Sequence, residues 1–329
     1  MVTRAALCCS ALALAACDPG FENPTEVIDL RPLAISAEPP EQVLDVDLTM
    51  PPNANDLLRQ LRPVEICALA GDPLVRSLTS TLTVCVEGRD ARCDASRPRI
   101  VLASGVVTPD PETAIPRPQL CARLEPDANL LAVLLGAIDA DPLSGFSGID
   151  LLIEWTLAAD GAPAVYAGKR VRFAARVPER RTANQNPTVL EFTASVSGAE
   201  ARMQPLPLGR CVDQLEPLTI TAGDRVTITP VEPEGLRETY VVPTFDGGVR
   251  EFTETIEYQW YTSAGTFSTA VSGGRRDAFG NLPGLASAFR SHAAKDVLAA
   301  EDAAIWIVQR DERLGVAWFE SCVRVLPAP

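Results

Sequence analysis

The stretch Ile149–Leu157, IDLLIEWTL, sets Ile149, Leu151, Ile153, Trp155 and Leu157 at every second position, against Asp150, Glu154 and Thr156. Side chains alternate across a strand, so this pattern predicts a strand with one face in a core and one toward water. Asp160-Gly161 follows as a turn signal, and Lys169–Val177 alternates again with Arg170, Arg172 and Arg176 outward. The two runs predict a hairpin. The fold class is therefore read from β periodicity.

Toward the N-terminus the same period recurs. Thr79–Glu87 aligns Leu82, Val84 and Val86. Leu44, Val46 and Leu48 alternate with Asp45 and Asp47, and Leu30–Pro40 ends at a double proline, as an edge strand does. Two pieces break the pattern. Asn55–Leu61 reads as a short helical turn, and Ala128–Ile138 reads as a helix from its length and its Leu and Ala content. The polar, proline-bearing stretch Pro178–Pro187, PERRTANQNP, marks a boundary. Beyond it, Val189–Val196, Leu218–Ile228, Thr239–Phe252 and Thr255–Tyr261 read as strands, with Ile256, Tyr258 and Trp260 on one face. Leu282–Ala304 is Ala-rich and charged and predicts a helix. Ile305–Arg310 and Val316–Leu326 predict a terminal hairpin around Asp311–Gly315. The expectation is an all-β protein of two β-sandwich domains in tandem with short helical insertions, residues 28–180 and 181–329.

Ahead of them stands Met1–Cys17, MVTRAALCCSALALAAC: one basic residue, an apolar run from Ala5 to Ala16, and Leu14-Ala15-Ala16 before a cysteine. An apolar core of that length is a secretory signal, too short to span a bilayer. It is similar to bacterial lipoprotein signals, which implies removal of residues 1–16, acylation of Cys17 (palmitate among the acyl groups) and a tether over residues 17–27.

An exported chain predicts disulfides. Cys67, Cys85, Cys93 and Cys121 fall in the first domain and Cys211 and Cys322 in the second. Four cysteines allow three pairings. A Cys85–Cys93 hairpin staple with a longer Cys67–Cys121 bridge is the preferred one, and Cys211–Cys322 would join the two ends of the second domain.

The formal net charge is −14 and the pI ≈ 4.6. That sign repels phosphate backbones, so nucleic acid is not an expected partner. No C-x-x-C pair exists, and His292 is the single histidine, so a Ser-His-Asp set would depend on a residue read here as lying on an exposed helix. No G-x-S-x-G elbow or phosphate loop is present. Asp139, Asp141, Ser144 and Asp150 do not match a calcium loop, which needs a ligand at Leu143, a glycine at Ser144 and a glutamate at Asp150. Trp155, Trp260, Trp306, Trp318 and Tyr258 read as sandwich core, while Tyr261, opposite Trp260, is a candidate for exposure.

Four stretches carry a family resemblance: Leu30–Gln42 (LRPLAISAEPPEQ), Asn184–Pro187 (NQNP), Glu257–Phe267 (EYQWYTSAGTF) and Ile305–Trp318 (IWIVQRDERLGVAW). In these the chain resembles a group of Ig-like β-sandwich envelope lipoproteins of GC-rich Gram-negative bacteria, whose function is uncharacterised. The resemblance implies Ig-like sandwiches, export and surface display, and it brings no activity. The expected function is that of a non-enzymatic, membrane-anchored envelope lipoprotein acting as an adhesion, scaffold or partner-binding module. A carbohydrate or small-ligand binding protein using the groove between the domains is the alternative. No metal or cofactor is expected. The expected partners are membrane lipid, through acylated Cys17, and an envelope protein or glycan. The outer membrane or cell surface is placed ahead of the periplasmic face of the inner membrane.

Overall fold

Period-two hydrophobicity becomes strand nearly everywhere it occurs. The computed structural model describes residues 23–46, 53–74, 76–108, 119–143, 145–189, 191–197, 202–244 and 247–329; the expected signal peptide over residues 1–16 and the expected acylation site Cys17 lie outside them. In chain order the first part holds β1 (Arg31–Glu38), β2 (Glu41–Leu44), α1 (Ala54–Gln60), β3 (Val64–Gly71), β4 (Leu78–Cys85), β5 (Arg99–Val107), β6 (Gln119–Leu124), α2 (Ala128–Ala140), β7 (Ile149–Ala159) and β8 (Val165–Ala175). The second holds β9 (Glu191–Ser197), β10 (Arg202–Pro205), β11 (Leu218–Thr221), β12 (Arg225–Val231), β13 (Thr239–Pro243), β14 (Val249–Thr253), β15 (Ile256–Thr262) and β16 (Thr266–Phe267). It is completed by β17 (Val271–Gly273), β18 (Ser287–Arg290), β19 (Glu301–Asp311) and β20 (Val316–Leu326). The protein is predominantly β.

The strands form several sheets. β1-β3-β6 faces β2-β8-β7-β4-β5 across one core, to which Ile35, Ile66 and Leu124 come from the first sheet and Leu82, Ile153, Trp155 and Val171 from the second. In the same way β11-β20-β19-β15-β17 and β10-β9-β12-β18-β16 share a core of Trp260, Ile305, Ile307 and Val323 against Phe192, Val226 and Phe289. β13 and β14 form a separate two-stranded hairpin. α2 starts where Asp127 accepts hydrogen bonds from the backbone N–H groups of Asn129 and Leu130, both at 2.9 Å, and it seals the first core with Leu130 and Val133.

The six cysteines pair as Cys67–Cys121, Cys85–Cys93 and Cys211–Cys322. Cys67 and Cys121 are direct partners across β3 and β6, so strand register alone brings them together.

Three local readings are corrected. Leu282–Ala304 contains no helix: β18 crosses it, turns and irregular backbone follow, and β19 begins at Glu301. Its alanines flank Pro283 and Gly284 and offer no apolar stripe, so propensity had no tertiary packing to support it. Leu218–Ile228, read as one strand stretch, is divided between two sheets, since β11 pairs with β20 and β12 with β9 and β18 in the opposite sheet. The expected tether over 17–27 is not free at its end. Thr25 and Val27 are buried, and the Val27 N–H donates to the Thr262 carbonyl at 2.8 Å while the Thr262 N–H donates to Thr25 at 2.8 Å. The end of β15 had open backbone groups, and these residues satisfy them.

A third apolar cluster joins the two parts. Leu33, Ala34, Leu69 and Val27 pack against Trp306, Val308 and Val316, with Tyr261 and Trp318 at its margin. A register irregularity between Pro32 and Ala34 turns the consecutive Leu33 and Ala34 toward this seam. Along β19 the faces alternate: Ile305 and Ile307 enter the second core, Trp306 and Val308 the seam. β19 is thus covered on both sides. Tyr261, expected to be exposed, is largely covered here, and burial raises its pKa.

Trp155 and Trp260 donate their indole N–H to Ser80 at 2.9 Å and Ser272 at 2.8 Å, whereas buried Trp306 Nε1 has no partner. Trp306→Ala should therefore lower the unfolding free energy by about 3–5 kcal/mol. Trp306→Phe, which keeps the ring and removes the orphan donor, should cost much less. Urea denaturation of both variants checks the difference.

Candidate functional site

The β19–β20 turn, Asp311-Glu312-Arg313-Leu314-Gly315, reaches from the second part toward the first. Asp311 organises it by accepting hydrogen bonds from the backbone N–H of Arg313 at 2.8 Å and of Gly315 at 2.7 Å. A Cβ at Gly315 would sit 1.9 Å from Asp311 Oδ2 and 2.7 Å from Pro187, so only glycine fits this close approach. The turn projects Arg313 into a pocket of carboxylates. Its guanidinium donates to Glu41 at 2.7 Å, Glu254 at 3.2 Å and Glu238 at 3.3 Å, and to the Thr182 carbonyl at 3.0 Å. The same group lies 4.8 Å from the centre of the Tyr240 ring.

Glu41, next to the double proline, is the first part's contribution. It is buried and also accepts from Arg181 Nη2 and from the backbone N–H of Asn184, both at 2.8 Å. The boundary stretch is thus folded into the junction. Asn184 donates to Asp311 at 3.1 Å and to the Arg313 carbonyl at 3.1 Å. Asn186 links the Ala37 carbonyl on β1, at 2.8 Å, to the Val316 N–H on β20, at 2.9 Å.

Burial and crowding move the protons here. Burial, helped by neighbouring Asp311 and opposed by Arg313, pushes the Glu254 carboxyl up to about 7. Burial raises Glu238 and Asp311 as well. Lys169 lies on the other side of the turn. Burial lowers its ammonium to about 8, and it donates to the carbonyls of Leu314 and, at 3.0 Å, Arg170.

Two clefts flank the turn. One, of ≈ 410 Å³, is lined by Leu143, Phe146, Tyr240 and Val242 together with Arg172 and Glu312. The other, of ≈ 440 Å³, is lined by Glu87, Gly168, Lys169, Arg310 and Leu314. Carboxylates facing the first cleft are already held: Glu41 as above, and Glu312 by the Tyr240 hydroxyl at 3.0 Å, Thr255 at 3.1 Å and Arg275 at 3.3 Å.

The other sequence candidates are dispersed. His292 lies in a turn rather than on a helix. Its Nε2 accepts from the Gly265 N–H and meets Glu26, both at 3.1 Å. Asp139 and Asp150 pair with Arg97 and Arg172, and Asp141 caps the loop after α2; Ser144 lies outside the described residues. Among the described residues no group of His, Cys, Asp and Glu is placed to hold a metal, and no helix is long and apolar enough to cross a membrane. The Arg313 cluster escaped the sequence reading because its members are scattered from Glu41 to Arg313. One signal pointed at it: each of the four resemblance stretches supplies residues to the junction or its seam, as Glu41, Asn184, Tyr261 and Arg313 illustrate.

No family model matches the chain, and no curated protein matches it in sequence. Among solved structures it is similar to red sea bream transglutaminase, at 10% identity and a TM-score of 0.24 over 91% of this chain and 32% of that one. It is also similar to the BSP domain of a biofilm associated protein, at 7% identity and 0.24 over 90% and 58%. The chain spans about a third of the first and just over half of the second. At those TM-scores neither likeness bears on fold or activity.

In the folded chain Glu254 keeps a proton up to about pH 7, while in the unfolded chain it loses it near its ordinary value of 4.5. The folded state therefore holds the extra proton between those values, and this group's contribution to stability falls as pH rises through that window. Glu254→Gln should remove that part of the decline, so the variant should gain on the wild type from pH 4.5 to 7 in chemical denaturation.

Proposed function

We propose that this protein is a lipid-anchored envelope component of two Ig-like β-sandwiches that binds a partner protein and carries out no catalysis of its own. In this reading Cys17 is the acylated residue, and the ectodomain stands at the outer membrane or cell surface. The observation that carries the binding role is the free edge of β5. Among the described residues β4 is its single strand neighbour, and no sheet partner covers the other side. From Ile100 to Val107, IVLASGVV, the strand holds no charge and no proline, and Val101 and Val106 are exposed. Edge strands are ordinarily blocked by charge, proline or a covering element, because open N–H and C=O groups recruit further strands. An edge without charge or a second strand partner among the described residues suits an extended segment added as a sixth strand. The packed seam supports the scaffold part of the reading, since it holds that edge at a fixed angle to the second part.

A second reading follows from the cleft of ≈ 410 Å³, where Phe146 and Tyr240 lie near Arg172 and Glu312. Apolar rings with a few polar groups suit a sugar or other small ligand. Titration calorimetry with envelope glycans, repeated on Tyr240→Ala, separates it from partner binding.

Two measurements test the first reading. A photo-crosslinking residue at Val106, on β5, should capture one envelope protein in intact cells. The same residue at Tyr166, on β8, should not, and Val101→Lys with Ser104→Lys, the crosslinker staying at position 106, should abolish capture. Cys17→Ser should move the protein from the detergent phase to the aqueous phase and stop palmitate incorporation. Capture unaffected by the lysines, or unchanged detergent partitioning, contradicts the corresponding half of the proposal.

A further inference from the structure

The chain enters the fold at a fixed place. Asn23 Oδ1 accepts from the Thr25 N–H at 3.0 Å, Thr25 Oγ1 accepts from the Phe267 N–H at 2.9 Å, and Glu26 meets His292 at 3.1 Å. These contacts lie at the end of the second part where β15 finishes and β19 begins, the end opposite the Arg313 cluster. From Cys17 to Asn23 there are six residue steps, which extend to about 20 Å at most. An acylated Cys17 would therefore hold this end of the second part, although it comes later in sequence, within about 20 Å of the bilayer.

The surface at that end fits such a neighbour. Residues 291–300, SHAAKDVLAA, form a loop whose two ends meet, His292 Nδ1 lying 3.8 Å from Glu301. Val297 turns inward into the second core, and the next side chain, Leu298, is 88% exposed. Around it Ala293, Ala294, Ala299 and Ala300 are exposed and small. Exposed Arg290 and Lys295 border the loop together with Asp296, while Glu26 and Glu301 lie against His292. Lys295 is one of two lysines in a chain of net charge −14. An exposed leucine among small side chains suits the boundary of an apolar interior, and the long side chains of Arg290 and Lys295 suit its headgroup layer.

We infer that the loop of residues 291–300 is the membrane-facing surface of this protein, with Leu298 seated at the headgroup boundary of the bilayer that holds the Cys17 anchor. This placement rests on the acylation proposed above. It also sets the Arg313 cluster away from the membrane by roughly the length of β19, about 30 Å for eleven residues.

The test uses the acylated protein in vesicles of phosphatidylethanolamine and phosphatidylglycerol. An environment-sensitive fluorophore is attached at Leu298→Cys or, as the control at the far end, at Phe279→Cys. Phe279 is also exposed, and its loop is tied to Glu312 through Arg275. Lipids carrying a spin label just below the headgroup should quench the probe at residue 298 several-fold more than the probe at residue 279. Equal quenching, or stronger quenching at 279, with the protein still floating with the vesicles, overturns the placement alone. Failure of the acylated protein to float overturns the anchor and the placement with it. With the fluorophore moved to Ala299→Cys, which is also exposed, adding Leu298→Asp in the acylated background should leave flotation intact and lose the quenching contrast with residue 279.

Discussion

β19 has apolar neighbours on both faces, and that double coverage is the constraint on which the rest of the arrangement depends. Ile305 and Ile307 have no other core to enter than the one between the second pair of sheets, and Trp306 and Val308 have none but the seam against β1 and β3. A strand dry on both sides cannot tolerate separation of the two parts without exposing a tryptophan and two valines to water. The β1-β3-β6 sheet is bound in turn. Its inner face belongs to the first core and its outer face gives Leu33, Ala34 and Leu69 to the seam. Four sheets are stacked by three apolar layers.

Apolar packing attracts without fixing direction, and the ionic cluster supplies the direction. Arg313 meets three carboxylates, one from the first part, and Asn184 and Asn186 bridge the same gap with directed hydrogen bonds. Removing two charges from water offsets most of what a buried ion pair gains. The cluster therefore contributes little net stability and much specificity, because a shifted docking would strand Glu41 and Arg313 unpaired. The protonation of Glu254 fits this balance: carboxylates outnumber the cations that face them, and burial leaves one of them neutral to near pH 7.

Much of the fold was legible in the sequence. Ile149–Leu157 announced β7, the turn at Asp160-Gly161 announced its hairpin with β8, and the cysteine pairing followed the predicted strands. The helix misread over 282–304 shows where composition misleads, since alanines in a loop of exposed residues carry propensity without a face to bury. Ile305–Val308 held a clearer message than alternation. Four apolar residues in succession within a strand indicate burial on both faces, and that is the seam. The junction itself was illegible locally because its charges come from positions 41, 181, 238, 254 and 313 and meet through folding alone. The docking of Thr25–Val27 was hidden by its polar composition, since what it satisfies is backbone.

The central claim is that the seam makes the two parts one cooperative body. Native-state hydrogen exchange tests it most directly. The account predicts that the amides of Ile305–Val308 on β19 and those of Leu151–Trp155 on β7 are released in the same global opening, with one free energy and one denaturant dependence. Release of the β19 amides through a smaller opening, while β7 stays protected, would contradict it.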